Sequence, residues 1–197
     1  CGADESTEVR QSAFAVVGEL AKSCMPRLRP ALPQVMALLV QNISSDIDLL
    51  FVCNNASWAL GEIATTGGRE VGAPGGGVVV SLTVLTISIH PLLLFLTVLL
   101  GQAVTPWVSE AMAHLLDIIC KGAGIEPSLL ENASITVGRL GLVCPETLAQ
   151  GLEDYCAAWC SALALVRDRG EKEMAFQGLC LVIQHNPRGV ANVSVIL

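Results

Sequence analysis

The 197-residue sequence is poor in aromatic residues, at 4%, and poor in cations, with 11 Lys and Arg against 18 Asp and Glu. A formal net charge of −7 leaves no basic face for a phosphate backbone, so nucleic acid is not expected as a partner. An acidic chain suits a basic or partly disordered protein ligand better. Marks of catalysis are also missing. There is no Cys-x-x-Cys or His-Glu-x-x-His spacing, and the three histidines are scattered at His90, His114 and His185, which argues against a metal site. No Gly-x-Ser-x-Gly elbow occurs. The glycines at Gly72, Gly75, Gly76 and Gly77 lack the Lys-Ser or Lys-Thr of a phosphate loop, and Gly122 and Gly124 lead to Pro127 where a dinucleotide fingerprint needs glycine. The chain is therefore expected to be no enzyme and to hold no cofactor. It opens on Cys1 with no basic stretch ahead of an apolar one, so no signal peptide is expected, and the chain reads as a piece of something longer.

What is present is mostly Ala, Leu and Val, within 52% hydrophobic residues, a composition that favours closely packed helices. The eight cysteines fall singly in apolar helical patterns, apart from Cys156 and Cys160, one helical turn apart. They read as buried reduced thiols. Asn-x-Ser triplets at Asn42, Asn55, Asn132 and Asn192 match a glycosylation acceptor, but two of them fall inside expected helices, which discounts the match.

The chain repeats itself. SAFAVVGEL (12–20), NASWALGEI (55–63), NASITVGRL (132–140) and a weaker MAFQGLCLV (174–182) align on Ala13, Ala56, Ala133 and Ala175, which lie 43, 77 and 42 residues apart. Removing the 31 residues from Ala73 to Ala103 brings the middle interval to 46, and all three then fall within the roughly 40 to 47 residues of a HEAT or armadillo unit. The fold is thus expected to be all-α, an α-solenoid of about four helical pairs, with repeats over 1–72 and 104–197 and an apolar insertion over 73–103. Second helices of the pairs are expected over Glu8–Ser23, Leu49–Thr65, Ser128–Val143 and Glu171–His185, and first helices over Arg29–Asn42, Pro106–Cys120 and Pro145–Val166.

On the helix carrying NASWALGEI, Val52, Ala56, Ala59, Leu60 and Ile63 form one apolar stripe, the expected core face. Leu50, Asn54 and Trp58 lie on the other side. On the next equivalent helix the stripe is Leu129, Ala133, Thr136, Val137 and Leu140. The positions matching Asn54, Trp58 and Glu62 there are Glu131, Ile135 and Arg139. Equivalent helices of adjacent repeats lie about 10 Å apart, so Trp58 and Ile135 are expected side by side, ringed by Asn54, Glu62, Glu131 and Arg139. An aromatic inside a polar rim has the form of a peptide-binding hot spot. The plain alternative is that Trp58 packs against a neighbouring repeat and binds nothing.

The stretches EVRQSAFAVVGELAKSC, VCNNASWALGEIATTGG, SLLENASITVGRLGLVCPE and EKEMAFQGLCLVIQHNPRGV resemble the carboxyl-terminal arch of karyopherin-beta family nuclear import receptors. The resemblance covers about four fifths of the chain, roughly Asp4 to Gly72 and Val104 to Val190. It implies an importin-beta type HEAT solenoid that carries cargo proteins with a proline-tyrosine nuclear localisation signal from cytoplasm to nucleus, Ran GTPase releasing them there. It implies that Trp58, Asn54 and Ile135 contact the signal on the inner face, with Leu50 and Glu131 beside them. Nucleoporins are further partners of such receptors. The repeats that engage Ran in that family have no counterpart here, and the end from Ala191 drifts from the family pattern.

Two other readings stand beside it. A HEAT scaffold would use the same repeats without recognising a signal. A membrane protein would span through VVVSLTVLTISIHPLLLFLTVLLG, residues 78–101, which is long enough at 24 uncharged residues. Against spanning, no Lys or Arg lies between Val71 and Ser109 to set an orientation, and His90-Pro91 interrupts the run. The first half of the run has strand propensity and the second, PLLLFLTVLL, helix propensity.

Overall fold

The computed structural model describes residues 2–69 and 91–191, with the side chains of 47, 67–69, 91–105 and 123 excepted. Its long helices are α1 (Thr7–Leu28), α2 (Leu32–Gln41), α3 (Leu50–Arg69), α4 (Pro91–Lys121), α5 (Pro127–Val143), α7 (Leu152–Leu165) and α8 (Arg169–His185), with a single turn, α6 (Pro145–Leu148), between α5 and α7. There is no strand among the described residues. The all-α solenoid follows: α1, α3, α5 and α8 stack in order as one row, and α2, α4 and α7 form a second layer behind them.

Local chemistry sets the helix ends. The Ser6 hydroxyl accepts from the Val9 amide at 3.3 Å, the Glu126 carboxylate from the amides of Ser128 and Leu129, and the Asp168 carboxylate from Glu171 at 2.9 Å, each satisfying amides that a first turn leaves open. Pro127 occupies the first position of α5, where a missing N–H costs nothing.

The spacing-based boundaries shift in three places. α1 continues five residues beyond Ser23 through a kink at Cys24 (φ −154°, ψ 49°), next to Pro26, which has no N–H for the ladder. The helix expected over Pro145–Val166 is broken: α6 ends at Leu148 and α7 starts after Gly151, whose φ of +69° is the left-handed conformation glycine tolerates. α4 begins at Pro91 rather than Pro106, so the Leu-rich sequence PLLLFLTVLL is helical and Pro106 lies in the interior of α4. The strand propensity read in 78–90, and residues 73–90 of the expected insertion, lie outside the described residues.

The stripe positions Val52, Ala56, Ala59, Leu60, Ile63, Leu129, Ala133, Thr136, Val137 and Leu140 are all exposed by no more than 1%. Between rows, Trp159 is wholly buried and its indole N–H donates to the Ser134 carbonyl at 3.0 Å, tying α7 to α5. The closest approach is between α5 and α8. A Cβ on Gly178 would stand 1.9 Å from the Gly138 carbonyl oxygen, and one on Gly138 would stand 2.4 Å from the Ala175 Cα. Both contacts are with backbone, which cannot move aside as a side chain end can.

Gly178→Ala is therefore expected to push α8 off α5 and to destabilise the chain by about 1–3 kcal/mol, the usual effect of overpacking. Denaturant unfolding of the two chains measures it; a change within ~0.5 kcal/mol would show that α8 can dock elsewhere without loss.

Candidate functional site

The candidate site lies along the row where α1, α3 and α5 meet. Three polar contacts fix the register. The Asn55 amide donates to the Gln11 carbonyl at 3.0 Å, joining α3 to α1. The Asn132 amide donates to Asn54 Oδ1 at 2.9 Å, and the Thr136 hydroxyl donates to the buried Ser57 carbonyl at 2.8 Å, joining α5 to α3. Asn55 and Asn132 occupy equivalent places in NASWALGEI and NASITVGRL and each reaches back to the preceding helix. Two of the glycosylation-like triplets are thus stacking devices, their amides used inside helices.

That register sets Trp58 of α3 and Ile135 of α5 at the same level on neighbouring helices. They differ in exposure. Trp58 is half-buried. Its six-membered ring rests against α1 at Gly18, where an added Cβ would come within 2.2 Å of the indole Cζ3. The Lys22 ammonium lies 5.6 Å from a Trp58 ring centroid. Ile135 is buried, with 6% of its surface exposed. Asn54 is half-buried and engaged by Asn132, and Leu50 is half-buried against the core. The half-buried Glu131 points its Oε1 at the Arg167 backbone amide, from which it accepts at 2.8 Å.

Two residues of the expected polar rim are not a rim. Arg139 is 3% exposed and Glu62 8%. Arg139 Nη1 sits 3.0 Å from Glu62 Oε1, and Nη2 donates to both oxygens of Glu171 at 2.8 Å. One guanidinium thus joins α3, α5 and α8. The planar fork suits this, since it presents donors in two directions and stays charged when buried. Helix periodicity gives the direction of Glu62 and Arg139 but not the neighbour that covers them. The signal that finds them is opposite charge at equivalent places of consecutive repeats, GEI against GRL.

Among the described residues no group of three His, Cys, Asp or Glu side chains is placed to hold a metal. Cys156 and Cys160 are free thiols in α7. Burial pushes the Cys156 thiol up to about 12 and raises Cys160 as well, which disfavours the thiolate at both.

Stacked helical pairs with asparagine and arginine ties between consecutive repeats define a HEAT-type solenoid, and the HEAT-like repeat family matches residues 7–63. The chain is homologous to transportin along nearly its whole length. It is 34% identical over 190 residues to Transportin-1 of Mus musculus and of Homo sapiens, covering 96% of this chain and 17% of theirs. It is 33% identical over 191 residues to Transportin-1 of Oryza sativa subsp. japonica, covering 96% of this chain and 18% of that one. It is 27% identical over 191 residues to Importin subunit beta-2 of Schizosaccharomyces pombe, with 97% and 17% covered. The chain thus spans about a sixth of the length of the relatives it matches.

Arg139→Met leaves Glu62 buried without a counter-charge, and a broken buried pair costs on the order of 3–5 kcal/mol. Adding Glu62→Gln in the same chain is expected to recover part of that loss, because the remaining amide is neutral. Urea unfolding of both single variants and the double variant measures it. Strict additivity would show that the two groups do not interact.

Proposed function

We propose that this chain is a cargo-contacting part of a nuclear import receptor, holding the nuclear localisation signal of a cargo protein, of the proline-tyrosine type, on the helix row of α1, α3 and α5. The observation that carries the reading is Trp58. It is a large aromatic left half-buried outside the core stripe, with its six-membered ring seated on Gly18 of α1. A preformed indole loses little entropy on binding, which is how a few aromatic side chains come to dominate peptide interfaces. Asn54, Leu50 and Glu131 flank it, and Ile135 offers a small apolar area at the same level. The names of the relatives, transportin and importin, support transport between cytoplasm and nucleus. Engagement of Ran GTPase and of nucleoporins belongs to the whole receptor in this proposal, not to this stretch.

A HEAT scaffold without signal recognition is the second reading. It is favoured by the number of rim groups already satisfied between repeats: Asn54 by Asn132, Glu62 by Arg139, Glu131 by the Arg167 amide. A membrane anchor draws no support from the described helices, none of which is long and apolar enough to cross a bilayer. Residues 78–90, and the side chains of the rest of the apolar run, lie outside the described residues.

Binding of a fluorescent proline-tyrosine signal peptide to the chain tests the proposal. Trp58→Ala is expected to destabilise the chain, because its ring packs on Gly18, and under conditions where the variant is still folded to weaken peptide binding by roughly tenfold or more, about 1.4 kcal/mol. Failure of the folded chain to bind the peptide would favour the scaffold. Unchanged peptide binding by the folded Trp58→Ala chain would make Trp58 a packing residue only.

A further inference from the structure

We propose that Lys22 is a built-in competitor for the Trp58 ring, and that the group it competes with is a basic side chain, Lys or Arg, of the bound segment. The inference deepens the reading of Trp58 as a contact for such a segment and rests on it.

The charges around the indole differ between its two sides. On the α5 side they are committed: Glu62 and Glu171 to Arg139, and Glu131 to the Arg167 amide. Asn54 is neutral and bonded to Asn132. On the α1 side they are loose. Lys22 and Glu19 are 3.7 Å apart, with 48% and 65% of their side chains exposed, so their ion pair is of the weak surface kind. Lys22 meanwhile holds its ammonium 5.6 Å from the Trp58 ring centroid, within the range at which the indole π system attracts a cation. The part of the ring seated on Gly18 is closed to any ligand by the α1 backbone. The free protein therefore already places one cation on what remains of the ring, beside a carboxylate, Glu19, held only weakly.

The net charge of −7 attracts basic segments to this chain. A Lys or Arg arriving at the open part of the Trp58 ring beside Lys22 meets that ammonium, and two cations on one ring repel each other. For the incoming cation to settle, Lys22 must swing into solvent, and its half-exposed stem lets it do so. Glu19 then loses Lys22 and becomes the partner of the newcomer. The exchange is one cation for another at the same aromatic and the same carboxylate, so the site discriminates in favour of segments whose cation binds better than Lys22 does. A planar guanidinium, which stacks on indole more closely than an ammonium, is the best displacer.

The test uses Lys22→Gln and Lys22→Arg in the full chain, with two peptides: a basic proline-tyrosine signal segment, and its twin with the basic residues changed to Gln. Lys22→Gln is expected to tighten the basic peptide about two- to fivefold, the scale of an exposed cation–π contact, and to leave the twin unchanged. Lys22→Arg keeps the competitor and is expected to show no gain. Unchanged or weaker binding of the basic peptide to Lys22→Gln would overturn the proposal. A second measurement needs no cargo: N-acetyl-arginine amide is titrated while the Trp58 indole N–H resonance, assigned with Trp58→Phe, is followed. A larger shift at equal concentration in Lys22→Gln than in the unaltered chain supports competition, and equal shifts refute it. If neither peptide binds but the arginine shifts differ, the cargo reading falls and the competition at Trp58 stands.

Discussion

The helix row depends on one steric condition, that nothing larger than hydrogen stands where consecutive helices come closest. Between α5 and α8 the condition is absolute, because Gly178 faces the Gly138 carbonyl and Gly138 faces the Ala175 backbone. Between α3 and α5 Gly61 leaves room for Thr136 and for the Arg139 stem. Between α1 and α3 Gly18 admits a whole indole ring. The same device thus does three jobs as the side chain opposite it grows. With backbones this close, short polar groups reach across: an asparagine amide at two of the junctions, and a threonine hydroxyl onto a buried carbonyl. Longer separation would leave those groups unsatisfied, at a cost of about 1–3 kcal/mol each.

Arg139 shows the price of the arrangement. A guanidinium 3% exposed has lost most of its hydration, and its Nε finds no hydrogen-bond partner among the described residues. Two carboxylates from different helices offset that loss, Glu171 through a well-formed fork and Glu62 through a 3.0 Å ion contact. An apolar substitute for all three would be at least as stable in many proteins, so the triad is better understood as fixing which helix lies next to which. An apolar stripe on a helix allows it to slide by a turn, whereas one cation between two fixed anions does not.

The repeat period, both core stripes and the all-α architecture were legible in the sequence because each depends on spacing within one helix. The four equivalent alanines and the positions around them carried that information. What spacing could not supply was the environment on the far side of each helix. Trp58 and Ile135 sit on equivalent faces, yet one is half-buried and the other nearly covered. Glu62 and Arg139 look like solvated rim residues on a helical wheel and are an ion pair in a closed seam. The break at Gly151 was missed for a related reason: LEDYCAAWCSALAL reads as a continuation of the helix after Pro145, and a single left-handed glycine leaves almost no compositional trace. The helix propensity of PLLLFLTVLL is legible in its leucines, whereas its continuity with the residues after Pro106 is not, because a proline ordinarily marks a helix start or a kink.

The interval in the repeat bears on the candidate site through chain connectivity. The candidate site needs α3 and α5 paired, and the bonds that pair them join residues 78 and 79 positions apart. Lengthening the connection raises the entropy of closing it only logarithmically, by about 0.6 kcal/mol for each doubling. Against that stand a buried threonine bond, an asparagine bond and the Glu62–Arg139 contact, together with the burial of Val52, Ala56, Leu60, Leu129, Ala133 and Leu140 in one continuous core. Each fully buried aliphatic side chain contributes about 1.5–3 kcal/mol, so burial of two of them already outweighs a connection several times longer than the repeat requires. The pairing of α3 with α5 is thus decided by the packing itself, and the residues between α3 and α4 can vary widely in length without separating those two helices.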